Sequence, residues 1–590
     1  MRRNPRQTAF TLALTLALLL TSIVPTAANA SASAPRRVNV WPESGPLSSS
    51  WNTAAIFWFG QATSTGETSN DYVDVRITYD SQNLYVFATI VDYYLWYDPN
   101  GTTDPRTYDA FELYLDTHGD RESVPQTDDY YFVSGFRGWP ITSDPRWQRQ
   151  AQGTGSGWNA SWVPSPAWSD NIGMRYNVSG SNNNSDLDYG WATTLTIPWA
   201  TLGAAGPPAN GTAWGIGAVL DNRNDQPPAG AVPAENWPET FAPTTPATWA
   251  SLVFSPVPFQ PAAATNLQTV TLRRGLNNEA VQDAYVGGGG NCGGGVYGGG
   301  DTPHPTDDLF IQNESDMSDF PCFSKSFLQF DLSAIPPGKV ITGASLTVYE
   351  FGGSDPTSAQ PSDIQLFEVT DPWSETTLTW NNELLAAANL TATWVSVLPT
   401  FPGYPGVAAT WDASQLVADA YAASGPANLA LYEADTAYNS GKYFVSSDAG
   451  DWDATGRPAL VVTYGDPILG VGLSLAPATA NQNGLVTGTV VVNGAGRSTQ
   501  VSVPIPAQYA FVTGSATSGA TYNGSASAVQ WSGTAAVGTP ITFTFQLQVA
   551  SSVPAFTPLT ASATDSSGAT VSAMANALVN PSSVTVPILK

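Results

Sequence analysis

Apolar and polar residues alternate through most of the chain. In Asp74-Val75-Arg76-Ile77-Thr78-Tyr79 and in Leu84-Tyr85-Val86-Phe87-Ala88 every second position is apolar, the period of a strand that buries one face. Turn-forming residues such as Asp80-Ser81-Gln82-Asn83 separate these runs and predict strands joined by short connections. Helical periodicity is weak except from Ala413 to Ala423, where Leu416, Val417 and Ala420 would face a core for a few turns. The glycine-rich run from Gly287 to Gly300 supports neither strand nor helix. It reads as a surface loop, since the Lys-Ser/Thr and helix that follow a phosphate loop are missing.

Two proline-rich points divide the chain: Ser255-Pro256-Val257-Pro258-Phe259-Gln260-Pro261, and the turn Gly465-Asp466-Pro467. They predict domains at 31–258, 259–467 and 468–590, sizes at which a single core is usual. Ahead of them, Arg2, Arg3 and Arg6 precede an uncharged apolar run from Ala9 to Val24, and Ala28-Asn29-Ala30 follows. That is the pattern of a signal peptide over residues 1–30, cleaved after Ala30. A membrane anchor would need about 20 apolar residues. The expected product is secreted, extracellular and associated with the cell surface, without membrane insertion.

Composition sharpens this picture. Charged residues make up 12% of the chain and aromatic residues 11%, with 53 glycines and 46 prolines, a balance that favours strands and turns over helices. The net charge of −27 reflects scarce bases: the lysines are Lys325, Lys339, Lys442 and Lys590. Such a field repels nucleic acid and anionic lipid but not a neutral glycan. The two cysteines, Cys292 and Cys322, fall in one domain, and export would let them pair as a disulfide. With two histidines in the whole chain, an ordinary zinc site is excluded as a design feature.

Fourteen of the twenty tryptophans precede residue 255, more than a sandwich core takes up. Trp199, Trp214 and Trp249 lie among apolar strand residues and are expected inside. Others are free to line a groove, where an aromatic face stacks on the C–H face of a sugar and polar groups meet its hydroxyls. Asp116, Asp120, Asp128 and Asp129 gather where a strand ends in Asp-Thr-His-Gly-Asp. Hard oxygen ligands of this kind suit structural calcium, although an ordinary solvated acidic turn has the same composition. No organic cofactor is expected.

Four segments in register carry a resemblance: Tyr79-Asp80-Ser81-Gln82-Asn83-Leu84-Tyr85-Val86, Asp109-Ala110-Phe111-Glu112-Leu113-Tyr114-Leu115-Asp116, Thr196-Ile197-Pro198-Trp199-Ala200-Thr201-Leu202-Gly203 and Gly211-Thr212-Ala213-Trp214-Gly215. Together they resemble the family 9 carbohydrate-binding module and its DOMON-like relatives, over residues 40–255. The resemblance implies a β-sandwich that clamps sugar between aromatic rings while carboxylates and amides bond the hydroxyls. Glu112 matches the family's glutamate. The clamp tryptophan six residues earlier is Arg106 in this chain. Trp96 and Tyr108 are the nearby aromatic replacements, and Trp237, expected in the loop before the last strand, is the other jaw. An inherited fold with an altered site is the other reading. Haem-binding relatives use a methionine with a histidine or lysine, and only His118 and Met174 are present for that role.

The second domain resembles the DNRLRE domain, related to family 96 carbohydrate-binding modules, through Ser326-Phe327-Leu328-Gln329-Phe330-Asp331-Leu332, Ile341-Thr342-Gly343-Ala344-Ser345-Leu346-Thr347-Val348-Tyr349, Trp373-Ser374-Glu375-Thr376-Thr377-Leu378-Thr379-Trp380-Asn381 and Arg457-Pro458-Ala459-Leu460-Val461-Val462-Thr463-Tyr464. This implies a jelly-roll-like sandwich of secreted and surface proteins, in which Trp373, Glu375 and Trp380 pack across a strand pair. The third domain, with Val503-Pro504-Ile505-Pro506 and Val529-Gln530-Trp531-Ser532-Gly533, resembles conserved-repeat immunoglobulin-like domains of bacterial surface proteins and implies a spacer or assembly role.

The fold class expected is therefore all-β: two successive jelly-roll-like β-sandwich domains followed by an immunoglobulin-like β-sandwich. No nucleophile elbow is present, because Gly153-Thr154-Gly155-Ser156-Gly157 lacks a central serine. A catalytic carboxylate pair is not indicated: Asp109 and Glu112, three apart on a strand, point to opposite faces. The expected function is non-catalytic binding of polysaccharide or cell-surface glycan. A structural surface or adhesin protein whose lectin-like domains no longer bind sugar is the alternative.

Overall fold

The computed structural model describes residues 36–579, apart from 44–50, 52–53, 61–70, 139–140, 177–180, 187, 225–231, 277–279, 288–302, 307, 354–356, 399, 478, 538 and 551–554. The signal-peptide pattern, Cys292 and most of the glycine-rich run lie outside the described residues. Among the described residues no helix is long and apolar enough to cross a membrane.

The first part of the chain supplies β1 (Arg37–Val40), β2 (Ala55–Phe59), β3 (Tyr72–Tyr79), β4 (Asn83–Val91), β5 (Ala110–Asp116), β6 (Asp129–Gly135) and β7 (Gln148–Gly153). It continues with β8 (Trp158–Asn159), β9 (Ser169–Tyr176), β10 (Asp188–Pro198), β11 (Ala213–Asp221), β12 (Ala234–Trp237) and β13 (Ala250–Phe254). One layer has the order β2-β3-β4-β10-β9; the facing layer runs β1-β13-β11-β5-β6-β7-β8, with β12 beside β11. Alternation decides what lies between them. Val75 and Ile77 of β3, Val86 of β4, and Phe111, Leu113 and Leu115 of β5 enter one core with Trp191, Trp199 and Trp214. The β3–β4 connection is fixed by Asp80, whose Oδ1 accepts from the backbone N of Gln82 and of Asn83, both at 2.7 Å.

The second part supplies β14 (Ala264–Leu272), β15 (Val281–Gly287), β16 (Leu309–Ile311), β17 (Ser324–Phe330), β18 (Val340–Gly353), β19 (Ser362–Glu368) and β20 (Ala388–Val395). After β21 (Val407–Asp412) come α1 (Ser414–Ala422), β22 (Ala427–Glu433), β23 (Lys442–Phe444) and β24 (Ala459–Pro467). Its layers are β15-β17-β22-β19-β20 and β14-β24-β18-β23-β16, with β21 beside β18. Leu416 and Val417 of α1 are buried in this second core, as the helical period predicts. The segment from Trp373 to Asn381 is a correction: it forms no strand pair but turns, ending in one 3-10 turn at Trp380–Asn382. Thr379 and Asn382 bond one another's local backbone there, and such side chains compete with a sheet ladder.

The third part folds into sheets of four and six strands around Val490, Val503, Trp531, Phe543, Phe545 and Leu547. Among the described residues the chain is all-β apart from α1 and short 3-10 turns.

The first two sandwiches share a sheet. Strand β1 pairs in parallel with β13 on one side and with β20 on the other, the latter at Arg37↔Ala388, so thirteen strands form one continuous layer. Asn39 and Asn389 lock this seam: Asn39 N donates to Asn389 Oδ1 at 2.7 Å, and Asn389 Nδ2 returns a bond to Asn39 O at 2.9 Å. A further core crosses the same boundary, joining Ile56, Trp58 and Tyr72 to Phe320, Phe327, Phe367, Trp380 and Tyr432. Arg76, fully buried, donates to the carbonyls of Ala434 at 2.7 Å and Asp435 at 3.2 Å.

Candidate functional site

Glu112 lies in the middle of β5, beside Val133 of β6 and Val219 of β11. The two-residue period that sends Phe111, Leu113 and Leu115 into the core turns Ala110, Glu112 and Tyr114 to the opposite face. There Tyr131 of β6 stands next to Tyr114, and Asp221 of β11 next to Ala110. Phe241 and Trp249 meet the Tyr114 ring at 5.0 and 5.6 Å. Half-buried Trp158 meets it at 5.9 Å and lies parallel to Trp249 at 6.4 Å. The result is a second, smaller aromatic cluster on the outside of the sheet. Trp249 is buried as expected, but in this cluster rather than in the main core.

On this aromatic bed the polar groups converge. Tyr114 donates its hydroxyl to Glu112 Oε2 at 2.8 Å. Glu112 and Asp221 are close enough to act on one another electrostatically and are only 5% and 8% exposed. Burial raises both carboxyls above the usual carboxylate range, Glu112 adds to the effect on Asp221, and Arg106 partly opposes it. The Arg106 guanidinium lies 5.6 Å from the Tyr131 ring centroid, 3.9 Å from Glu112 Oε2 and 2.7 Å from Asp104 Oδ2. With 35% of its side chain exposed, Arg106 is the group at the mouth. It stands where the resemblance places a clamp tryptophan.

The structure does not assemble the expected clamp. Trp237 is a correction: it closes strand β12, 2% exposed, and stacks on Phe57 at 4.0 Å inside the main core. Its partner across the ladder is Ala218, a core residue, whereas Asn236 lies opposite Val219. A shift of one residue along a strand changes the face, so exposed Asn236 is the β12 residue on the side of Glu112. Trp96 is 9% exposed and is tied through its backbone to Asp109, donating to Oδ2 at 2.5 Å and accepting from N at 3.2 Å. Tyr108 is half-buried and closes the 3-10 turn Pro105–Thr107 with an N–H to Pro105 O. Both are therefore held just ahead of β5. No local sequence pattern marks Asp221, Tyr131, Trp158 or Asn236. Tyr114 was legible as the same-face neighbour of Glu112; the others come from strands whose pairing no local pattern reveals.

The acidic turn between β5 and β6 does bring its carboxylates together. One oxygen each from Asp116, Asp128 and Asp129 lies within 4.8 Å of the others, and His118, Asp120 and Asp128 form a second such group. Asp116 anchors the turn by accepting from the backbone N of His118, Gly119 and Arg121 at 3.1, 2.6 and 3.2 Å. Asp129 Oδ1 is buried without a hydrogen-bond partner, and burial, with the neighbouring acids adding to it, pushes this carboxyl up to about 7. His118 is exposed at this turn, while Met174 packs against the main core from β9.

Residues 277–464 match the sequence model of carbohydrate-binding module family 96. The match covers β15 through most of β24, the second sandwich. No curated protein matches the chain. Among solved structures, a family 9 carbohydrate-binding module from Caldicellulosiruptor kristjanssonii in complex with cellotriose is similar, at 17% identity and a TM-score of 0.26, covering 38% of this chain and 100% of that one. A putative carbohydrate-binding protein from Bacteroides uniformis is similar at 11% identity and a TM-score of 0.27, covering 37% of this chain and 99% of that one.

Proposed function

We propose that the protein is a secreted, non-catalytic glycan-binding protein, with the outer face of β5, β6 and β11 as one binding face. The observation that carries this reading is the convergence of Glu112 and Asp221 on an aromatic bed of Tyr114, Tyr131 and Trp158. The carboxyls bond sugar hydroxyls, and half-buried Trp158, packed on the buried Tyr114 and Tyr131 rings, is the ring that meets an apolar C–H face. The family 96 match over 277–464 supports the same class of ligand. On this face Arg106 takes the place of a stacking ring. The jaw is then a guanidinium plane that bonds hydroxyls, and Asn236 supplies an amide.

Titration calorimetry of the chain from residue 31 with xylo-, cello- and manno-oligosaccharides tests this. Glu112→Gln should weaken binding while leaving the melting temperature near that of the parent protein. Silence of the parent protein with every sugar would move the reading to a structural surface protein. Two further proposals stand beside it. Asp116, Asp128 and Asp129 would hold calcium, so chelation should lower the melting temperature, because a ligand bound only by the native state stabilises it. Cys292 and Cys322 would pair, giving one crosslinked peptide in a non-reducing digest.

A further inference from the structure

The second sandwich carries a cavity that the first-domain reading does not use. Beside the end of β18, Glu350, Phe351, Val397, Leu398, Phe401 and Lys442 line a space of about 280 Å³. That is close to the lower end of the ~300–1,000 Å³ typical of small-molecule sites, the scale of one sugar ring. Glu350 is 2% exposed, and among the described residues no protein group donates to its Oε1, so this buried acceptor offers a hydrogen-bonding place to a donor from outside the chain. Lys442 does not fill it, since its ammonium donates to the carbonyls of Gln360, at 2.7 Å, and Ser440.

One lining ring, Phe401, begins an exposed aromatic row. Phe401, Tyr404 and Trp452 are 56%, 57% and 69% exposed, yet they touch in series: Phe401 meets Tyr404 at 5.2 Å, and Tyr404 meets Trp452 at 4.4 Å. Large rings left open to water and gathered in one place mark an interaction surface. The adjoining rim is polar, with the exposed Asp451 carboxylate 2.9 Å from Arg457.

We propose that Glu350, Phe401, Tyr404 and Trp452 form a second glycan site. One neutral sugar residue enters the cavity and bonds Glu350 Oε1 through a hydroxyl, and the adjoining residues of the chain lie across Tyr404 and Trp452. The charge of the site selects the class. The cation lining the cavity is committed to carbonyls, so among the described residues no free base lines the cavity to pair with a uronate carboxylate. This rests on the reading of the protein as a glycan binder and goes beyond it in naming a site in the second sandwich. It also gives the family 96 match a physical surface independent of Glu112.

The test is calorimetry on the chain from residue 31 with neutral xylo-, cello- and manno-hexasaccharides and with uronate oligomers. The variants are Trp452→Ala, Tyr404→Ala, Glu350→Gln and, separately, Glu112→Gln. The site predicts that Trp452→Ala weakens neutral glycan binding about tenfold or more, the loss of roughly 1.4 kcal/mol, with no change in melting temperature. Glu350→Gln should weaken it too, and Glu112→Gln should leave the Trp452-dependent part intact. Neutral glycan binding unchanged in Trp452→Ala and Glu350→Gln overturns this site but not the general reading. A preference for uronates overturns the neutral class. Absence of any binding overturns both readings. Loss of self-association in Trp452→Ala, by analytical ultracentrifugation, with glycan binding retained would make the patch a protein contact and overturn the proposal.

Discussion

Lys325 Nζ donates to both carboxylate oxygens of Glu383, at 2.7 and 2.8 Å, with neither side chain reaching solvent. The ammonium also sits 3.9–4.7 Å from the ring centroids of Trp58, Tyr72, Trp380 and Tyr432. Two of those rings come from the first sandwich and two from the second. Removing one partner of such a pair leaves a buried charge alone, at a cost of about 3–5 kcal/mol. Glu383→Ala should therefore lower stability by about that amount in chemical denaturation followed by tryptophan fluorescence. Because the cage spans both sandwiches, their transitions should move together; separate transitions with only one displaced would contradict a shared core.

Expression of residues 31–258 alone should give an insoluble or unstable product. The cut strips β20 from β1 and exposes Trp58, Tyr72 and the Arg76 guanidinium, which has its carbonyl partners on Ala434 and Asp435. An edge strand and an apolar face left open favour aggregation. A monomeric fragment with a cooperative melt would refute this, and would make single-domain binding assays possible.

Trp237→Ala tests the burial of a residue first expected in a loop. Stacked on Phe57 and 2% exposed, it should cost about 3–5 kcal/mol through the cavity left behind. A change below about 0.5 kcal/mol, typical of surface positions, would return it to the surface.

Stability should fall as pH rises from about 5 to 8. Asp283 and Asp363 are buried, and burial pushes each carboxyl up to about 7, with Asp448 and Asp435 respectively adding to it. Their unfolded values are about 3.9, so the native state binds more protons between these limits. The stability they contribute is present below about pH 4 and is lost as pH climbs through 7. In the other direction, Asp98, Asp104 and Asp144 are lowered despite partial burial or beside Arg partners, and their contribution disappears in acid. A melting curve measured across pH 4 to 8 should peak on the acidic side of neutrality; a rise towards pH 8 would contradict the assignment.

Much of the fold follows from local pattern. The period of two in β3, β4 and β5 named the strands and their core faces, Asp80 marked the turn between two of them, and Leu416 with Val417 marked α1. These features depend on neighbours within a few residues, and the sequence states such neighbours directly. Glu112 was reached through family resemblance, and Tyr114 was within reach as its same-face neighbour. What local pattern could not supply was register between distant strands. The pairing of β12 with β11 decided that Asn236 and not Trp237 stands on the outer face, a difference of one residue. The pairing of β1 with β20 joined two sandwiches that the proline-rich boundary had suggested were separate. Glu350, Phe401, Tyr404 and Trp452 span positions 350 to 452 of the chain, and only tertiary packing joins a buried carboxyl to a cavity whose lining ring Phe401 starts an open row of rings. Alternation sets which face a side chain takes; long-range hydrogen-bonded register sets which residues meet there.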